Sequence, residues 1–202
     1  MARQMAVWFE THSTTEDNER HIATGWHPGA LSAAGRRQAA DLAHRIEERG
    51  IRRIYSSDLG RAVETARLAA PTLPLYLDWR LRECHYGAWN GADAARVHRD
   101  RGQFLDHPYP GGESWRQAVT RVGRFVEDLC RLAATEPVFP VLVVGHVATR
   151  LGLAVHLGGE SLENLLDRPT RWQPGWSWVW EPDADAPSGP RGRQAGYPPS
   201  GP

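Results

Sequence analysis

The stretch Pro140–Arg150, PVLVVGHVATR, opens with five residues that carry no polar side chain and then turns at Gly145-His146. A strand packed on one face alternates apolar and polar residues, whereas an uninterrupted run such as Pro140–Val144 suits a strand buried on both faces. Ala148–His156 then reads as the helix that follows it. A second short apolar run, MAVWF, predicts a strand over 5–10 and also ends near a histidine, His12. Between these strands the chain alternates. A helix over 32–49 carries Ala39, Leu42, Ala43 and Ile46 at helical spacing and stops at Gly50. Ile51–Tyr55 reads as a strand, Leu59–Ala69 as a helix, and Thr72–Leu77 as a further strand. Ser114–Thr135 is a long helix with a serine at its start, and Trp176–Trp180 (WSWVW) is the last strand. Strand and helix in this order predict an α/β fold, a three-layer sandwich with a mostly parallel central sheet and helices on both faces. One domain is expected over 1–181. The Pro/Gly-rich segment 182–202 has almost nothing to bury and is expected to be a disordered tail.

Composition narrows the function. The 202 residues include 24 basic and 24 acidic side chains, so no broad basic surface exists to hold a nucleic acid or an anionic membrane by charge. No apolar run approaches the roughly 20 residues that span a bilayer, and the N-terminus lacks the layout of a signal peptide. With only Cys84 and Cys130, the expectation is a cytoplasmic protein without structural disulfides. The histidines show no metal-ligand spacing, so neither a metal nor another cofactor is expected.

In a parallel α/β sheet, ligands gather at the carboxyl ends of the strands. That rule brings His12 and His146 to one crevice. Arg61 leaves the second strand through Tyr55-Ser-Ser-Asp-Leu-Gly-Arg61, and Glu83 lies in the loop after the third. Two histidines, an arginine and a carboxylate suit phosphoryl transfer. A neutral imidazole attacks phosphorus, a guanidinium grips phosphate oxygens, and a carboxyl group delivers a proton to the leaving oxygen.

The motifs around these residues are specific. The histidine phosphatase superfamily, the phosphoglycerate mutase-like enzymes, carries Arg-His-Gly-x-Thr followed after two residues by Asn; here the chain reads Thr11-His12-Ser13-Thr14-Thr15-Glu16-Asp17-Asn18. Thr24-Gly25-Trp26, Leu31-Ser32-x-x-Gly35 and Ser56-Ser57-Asp58-Leu59-x-Arg61-Ala62 resemble further family segments. So do Leu81-x-Glu83 with His85-Tyr86-Gly87, Gly112-Glu113-Ser114 and Val143-Val144-Gly145-His146. The resemblance covers roughly residues 5–180. It implies a phosphoglycerate mutase-like sandwich in which His12 attacks phosphorus, Arg61 and His146 hold the equatorial oxygens, and Glu83 serves as acid and then base. It also implies that Asn18, Thr24, Thr11, Thr15, His85 and Val147 surround a small phosphorylated substrate, with no metal or cofactor.

The chain departs from the pattern at Thr11, where the family has an arginine, and at Ser13 and Val147. Ile22 and Cys84 stand where the mutases hold a phosphorylated acid with arginines, which argues against phosphoglycerate as substrate. Arg20, His21 and Arg150 are candidates to compensate, Glu10 repels an anion if it points inward, and Trp26, Tyr86, Trp89 and Trp115 are candidates for an aromatic pocket. Three readings stay open: a phosphatase-like hydrolase, a weakened homologue that binds a metabolite or partner, and an enzyme redirected to a non-phosphatase step. The oligomeric state is not readable from the sequence.

Overall fold

A computed structural model describes residues 5–136, 139–168, 175–180 and 193–195. Its main sheet has six strands: β1 (Met5–Thr11), β3 (Arg53–Ser56), β4 (Leu75–Leu77), β6 (Val141–Gly145), β7 (Trp176–Trp180) and β8 (Arg193–Ala195). They lie in the order β4-β3-β6-β1-β7-β8. The first four are mutually parallel, and β7 and β8 add on antiparallel. The expected mostly parallel sheet is therefore present.

Along β6 the side chains part to two cores, which accounts for its unbroken apolar run. Val141 and Val143 join Val7, Phe9 and Trp178 under α5 (Trp115–Thr135) and α6 (Val147–His156), whose Val122, Phe125, Leu129 and Leu151 pack there. Leu142 and Val144 face the opposite layer, where α2 (Ala33–Glu48) brings Leu42 and Ile46 and α3 (Gly60–Ala69) brings Ala62, Ala66 and Ala69. These are the three layers that the alternation predicts.

The helix boundaries follow their caps. Ser32 accepts from the Gly35 amide to open α2, and Gly50 leaves it with φ of 61°. Ser114 and Gln117 form a reciprocal capping box at the start of α5. Gly35 has a second reason to lack a side chain, since a Cβ there would lie 1.9 Å from the Thr14 carbonyl oxygen. α2 is thereby allowed to press directly on the loop that follows β1.

Several elements are absent from the sequence-based outline. They are α1 (Glu16–Glu19), α4 (Ala94–Asp100), α7 (Leu162–Asp167) and a two-stranded antiparallel pair of β2 (Ile22–Ala23) with β5 (Ala92–Asp93). All are short, with too few turns or alternations to produce a periodic signal. The strand expected over 72–77 is confined to 75–77. One expectation is corrected: β7 is not the last strand, because Arg193–Ala195, inside the expected tail, pairs along it. The rest of 182–202 and Trp172–Pro174 of the tryptophan-rich stretch lie outside the described residues. Among the described residues no helix is long and apolar enough to cross a membrane.

Candidate active site

The carboxyl ends of β1 and β6 are adjacent and parallel, and the His12 amide donates to the Gly145 carbonyl at 2.9 Å. The rings of His12 and His146 are 5.0 Å apart between centroids. The His12 Nδ1–H donates to the Ser13 carbonyl at 2.9 Å, which leaves Nε2 with its lone pair. That nitrogen receives the Nε–H of Arg61 at 3.2 Å. Another Arg61 nitrogen, Nη2, donates to Nδ1 of His146 at 3.3 Å and to the Gly25 carbonyl at 2.8 Å. Because a guanidinium only donates, His146 accepts at Nδ1 and carries its proton on Nε2, which meets Ser57 Oγ at 2.9 Å. One buried arginine thus spans two neutral imidazoles.

The electrostatics agree with these tautomers. The enclosed position of the His12 ring, and then the Arg61 guanidinium, lower its pKa from 6.5 to about 3. His146 is lowered well below its ordinary value by burial first, then by Arg61 and His12. Burial pushes the Cys84 thiol well up and Cys130 to about 11, consistent with two unreactive free cysteines.

Glu83 is buried beneath the same crevice. Its carboxylate accepts from the amides of Cys84 at 2.9 Å, Ala148 at 3.0 Å and Val147 at 3.2 Å, so it sits on the first turn of α6. The loop that carries it is fixed by Arg121, a buried residue of α5. Arg121 donates to the carbonyls of Arg80 at 2.7 Å, Arg82 at 2.9 Å and Glu83 at 2.7 Å, and to both oxygens of Glu113 at 2.8 and 2.9 Å. Glu113 in turn accepts from the His85 amide at 3.0 Å. Sequence reasoning missed Arg121, although its place beside Ala118, Val122 and Phe125 on the buried face of α5 was the available signal.

Two cavities open on His12, and both are also lined by Asn18, Glu83 and Val147. The first, about 220 Å³, has walls from Ile22, Thr24, Tyr86, Val97, Arg101 and Trp115. The second, about 320 Å³, lies on the Thr11 side and reaches α2 at Gln38 and Arg45. The Asn18 Oδ1 is engaged with the Thr15 amide at 3.0 Å, which leaves Nδ2 as the uncommitted donor of a residue that lines both cavities. Thr24 lines the first cavity with its hydroxyl bonded to Asp17 at 2.9 Å.

Two of the expected substrate contacts lie away from both cavities. Thr15 is fully buried and caps α1, accepting from the Asn18 amide at 3.0 Å, so it shapes the loop without lining either cavity. His85 lies edge-on to Trp26, 4.5 Å between centroids, and also lines neither. Of the aromatic candidates, Tyr86 and Trp115 reach the first cavity; Trp26 donates from its ring nitrogen to the Glu83 carbonyl, and Trp89 packs on Phe104 and Tyr109. None of the candidates to replace the missing arginine lines either cavity. Arg20 is an exposed partner of Asp17, His21 is exposed, and Arg150 lies over the Trp176 ring. Glu10 is buried and held by Arg45 and Arg49, both at 3.2 Å, so its charge is countered.

The profile of the histidine phosphatase superfamily (branch 1) matches residues 7–185. The chain belongs to this superfamily. Among curated relatives it is 36% identical over 106 residues to a 2,3-bisphosphoglycerate-dependent phosphoglycerate mutase of Streptococcus pneumoniae, an alignment covering 49% of this chain and 46% of that enzyme. It is 35% identical over 99 residues to a phosphoglycerate mutase of Candida albicans, covering 46% of this chain and 40% of the relative. The alignments thus span less than half the length of these relatives. Solved structures match over more of the superfamily domain. A mycobacterial glucosyl-3-phosphoglycerate phosphatase superposes with a TM-score of 0.79 at 26% identity, covering 95% of this chain and 97% of the other. A second mycobacterial hydrolase superposes at 0.81 and 27%, covering 96% and 91%. The superfamily to which this chain belongs therefore includes both phosphatases and mutases.

Proposed function

We propose that the chain is a phosphatase-like hydrolase of a small phosphorylated metabolite, working through a phosphohistidine on His12. The observation that carries this reading is the unprotonated Nε2 of His12, fixed from behind by the Ser13 carbonyl and touched in front by Arg61. The chemistry runs in two displacements. In the first, a bond forms from His12 Nε2 to phosphorus while the bond from phosphorus to the leaving oxygen breaks, and that oxygen takes a proton from Glu83. In the second, water attacks phosphorus, the P–N bond breaks, and the water proton passes to Glu83. Arg61 turns from the two imidazoles to the phosphoryl oxygens, and Asn18 Nδ2 adds a donor. The phosphatases among the structural neighbours support hydrolysis over transfer, and Ile22 and Cys84 argue against the mutase substrate.

A second reading is favoured by one feature. Thr11 supplies no positive charge, and the arginines proposed as substitutes lie away from both cavities. A site in which Arg61 is the guanidinium bonded to the two histidines, with none supplied from position 11, is suited to a weakened binder or to a redirected reaction. The experiment that separates the readings is phosphate release over sugar, nucleotide and aryl phosphates, with His12→Ala beside the wild type. Release that disappears in His12→Ala supports the hydrolase; no release from any ester in the wild type supports the second reading.

A further inference from the structure

His146 opens α6, and its ring is fully buried. It lines neither cavity; its Nδ1 meets Nη2 of Arg61, which does line the first. The opposite nitrogen, Nε2, meets Ser57 Oγ at 2.9 Å. Ser57 has no exposed surface, and its Oγ also accepts from the Leu59 amide at 3.2 Å. A hydroxyl oxygen has two lone pairs; here the Leu59 amide takes one and the His146 Nε2–H the other. The serine is itself held, since its amide donates to the Val144 carbonyl at 3.0 Å and its carbonyl accepts from Ser56 Oγ at 2.9 Å. The residue after β3 thus presents a fixed acceptor to the far side of the ring. With a proton kept on Nε2, the lone pair of neutral His146 is on Nδ1, the side occupied by Arg61.

From this geometry we propose that Ser57 is a positioning residue for His146: it holds the ring proton on Nε2, so that Nδ1 takes a further proton from the phosphate group that arrives. The inference rests on the phosphoryl site assigned above. There Arg61 turns to the phosphoryl oxygens, which leaves the buried Nδ1 without its donor, a costly state for an acceptor. A phosphate monoester has a second pKa of about 6, so its monoanion brings a transferable proton. The step balances: the P–O–H group gives its proton to Nδ1 and becomes a dianion, and the imidazolium donates from Nδ1 to a phosphoryl oxygen and from Nε2 to Ser57. Burial, Arg61 and His12 keep the ring neutral while the site is empty, and a dianion beside it favours the charged form. The other charged groups near the ring are Arg121 of α5 and Glu83, whose carboxylate is bonded to the amides of Val147 and Ala148.

Nitrogen NMR of protein carrying isotopically labelled histidine tests this, with His146 assigned by the loss of its signals in His146→Gln. The ligand is methylphosphonate, whose P–C bond resists hydrolysis. Free wild-type protein is expected to show a proton on Nε2 and a bare Nδ1. Saturation with methylphosphonate should add a proton at Nδ1 and keep the one on Nε2. In Ser57→Ala the bound ring should carry a single proton, because Nε2–H has lost its acceptor, and methylphosphonate should bind more weakly by about tenfold or more. A free wild-type ring protonated on Nδ1, a bound ring that stays singly protonated, or no binding at millimolar concentration would overturn the proposal. So would a Ser57→Ala protein that matches the wild type in both readouts. The wild-type spectra decide even if the variant does not fold. Failure of the phosphatase reading is seen separately, as absence of His12-dependent phosphate release.

Discussion

Arg61 donates its Nε–H to the Nε2 of His12 at 3.2 Å, the nitrogen that must attack phosphorus in the proposed reaction. The contact holds a cation beside an imidazole that must stay neutral to act. Protonation of His12 is therefore opposed both by its enclosed position and by Arg61. In the proposed reaction a substrate anion takes the place of the imidazole as partner of the guanidinium, which frees the nucleophile as it arrives.

The first prediction concerns stability and pH. The His12 pKa is lowered from 6.5 to about 3, so the unfolded chain binds a proton there over an interval in which the folded chain does not. Its contribution is fully present above pH 6.5 and is lost as pH falls from 6.5 to about 3, at about 1.4 kcal/mol per pH unit. His12→Asn removes this group. Urea unfolding at several pH values should show a shallower acid decline in the variant, and parallel curves would contradict the assignment.

Proton donation by Glu83 matters most when the leaving oxygen is a poor leaving group. Glu83→Gln is expected to lower kcat/KM on an alkyl phosphate by roughly a hundredfold or more, and to lower it much less on an aryl phosphate whose phenolate departs unaided. Steady-state rates on the two esters check this. Equal losses would assign Glu83 to holding the α6 amides alone.

Thr11→Arg puts a guanidinium next to the nucleophile of the proposed reaction, and Thr11 borders a cavity of about 320 Å³. One well-placed donor to a transition state is worth on the order of a hundredfold to a thousandfold. The variant should therefore release phosphate faster from a simple aryl phosphate, by about tenfold or more given an unoptimised geometry. A slower variant would show that the Thr11 side is already committed to another contact.

Arg121→Met removes the buried partner of the half-buried Glu113 and leaves three carbonyls of the Glu83 loop without this donor. Removing one partner of such a pair costs about 3–5 kcal/mol. Chemical denaturation should show a loss of that size. A change below about 1 kcal/mol, the range of exposed ion pairs, would contradict the role given to Arg121.

The sheet was legible because β6 and β1 carry dense apolar runs that end on histidines, and because Ser32, Ser114 and Gly50 mark helix ends. His12, Arg61, Glu83 and His146 were legible by their order along the chain, and the folded chain gathers them at one crevice. What the sequence hid was direction. Arg45 lies on the polar side of an amphipathic helix, where a charge ordinarily means solvent, and only the approach of α2 to the His12 loop brings it to a cavity wall. Thr15 and His85 fell within the right motifs, yet local capping and ring packing turn them away from the cavities.

The most direct test of the account is a rapid acid-free quench during a single turnover of an aryl phosphate, followed by peptide mapping under alkaline conditions that preserve phosphohistidine. The account predicts a phosphoryl group on the peptide containing His12, formed and lost at rates compatible with turnover. Phosphate release without that adduct, or an adduct that persists in His12→Ala, would contradict it.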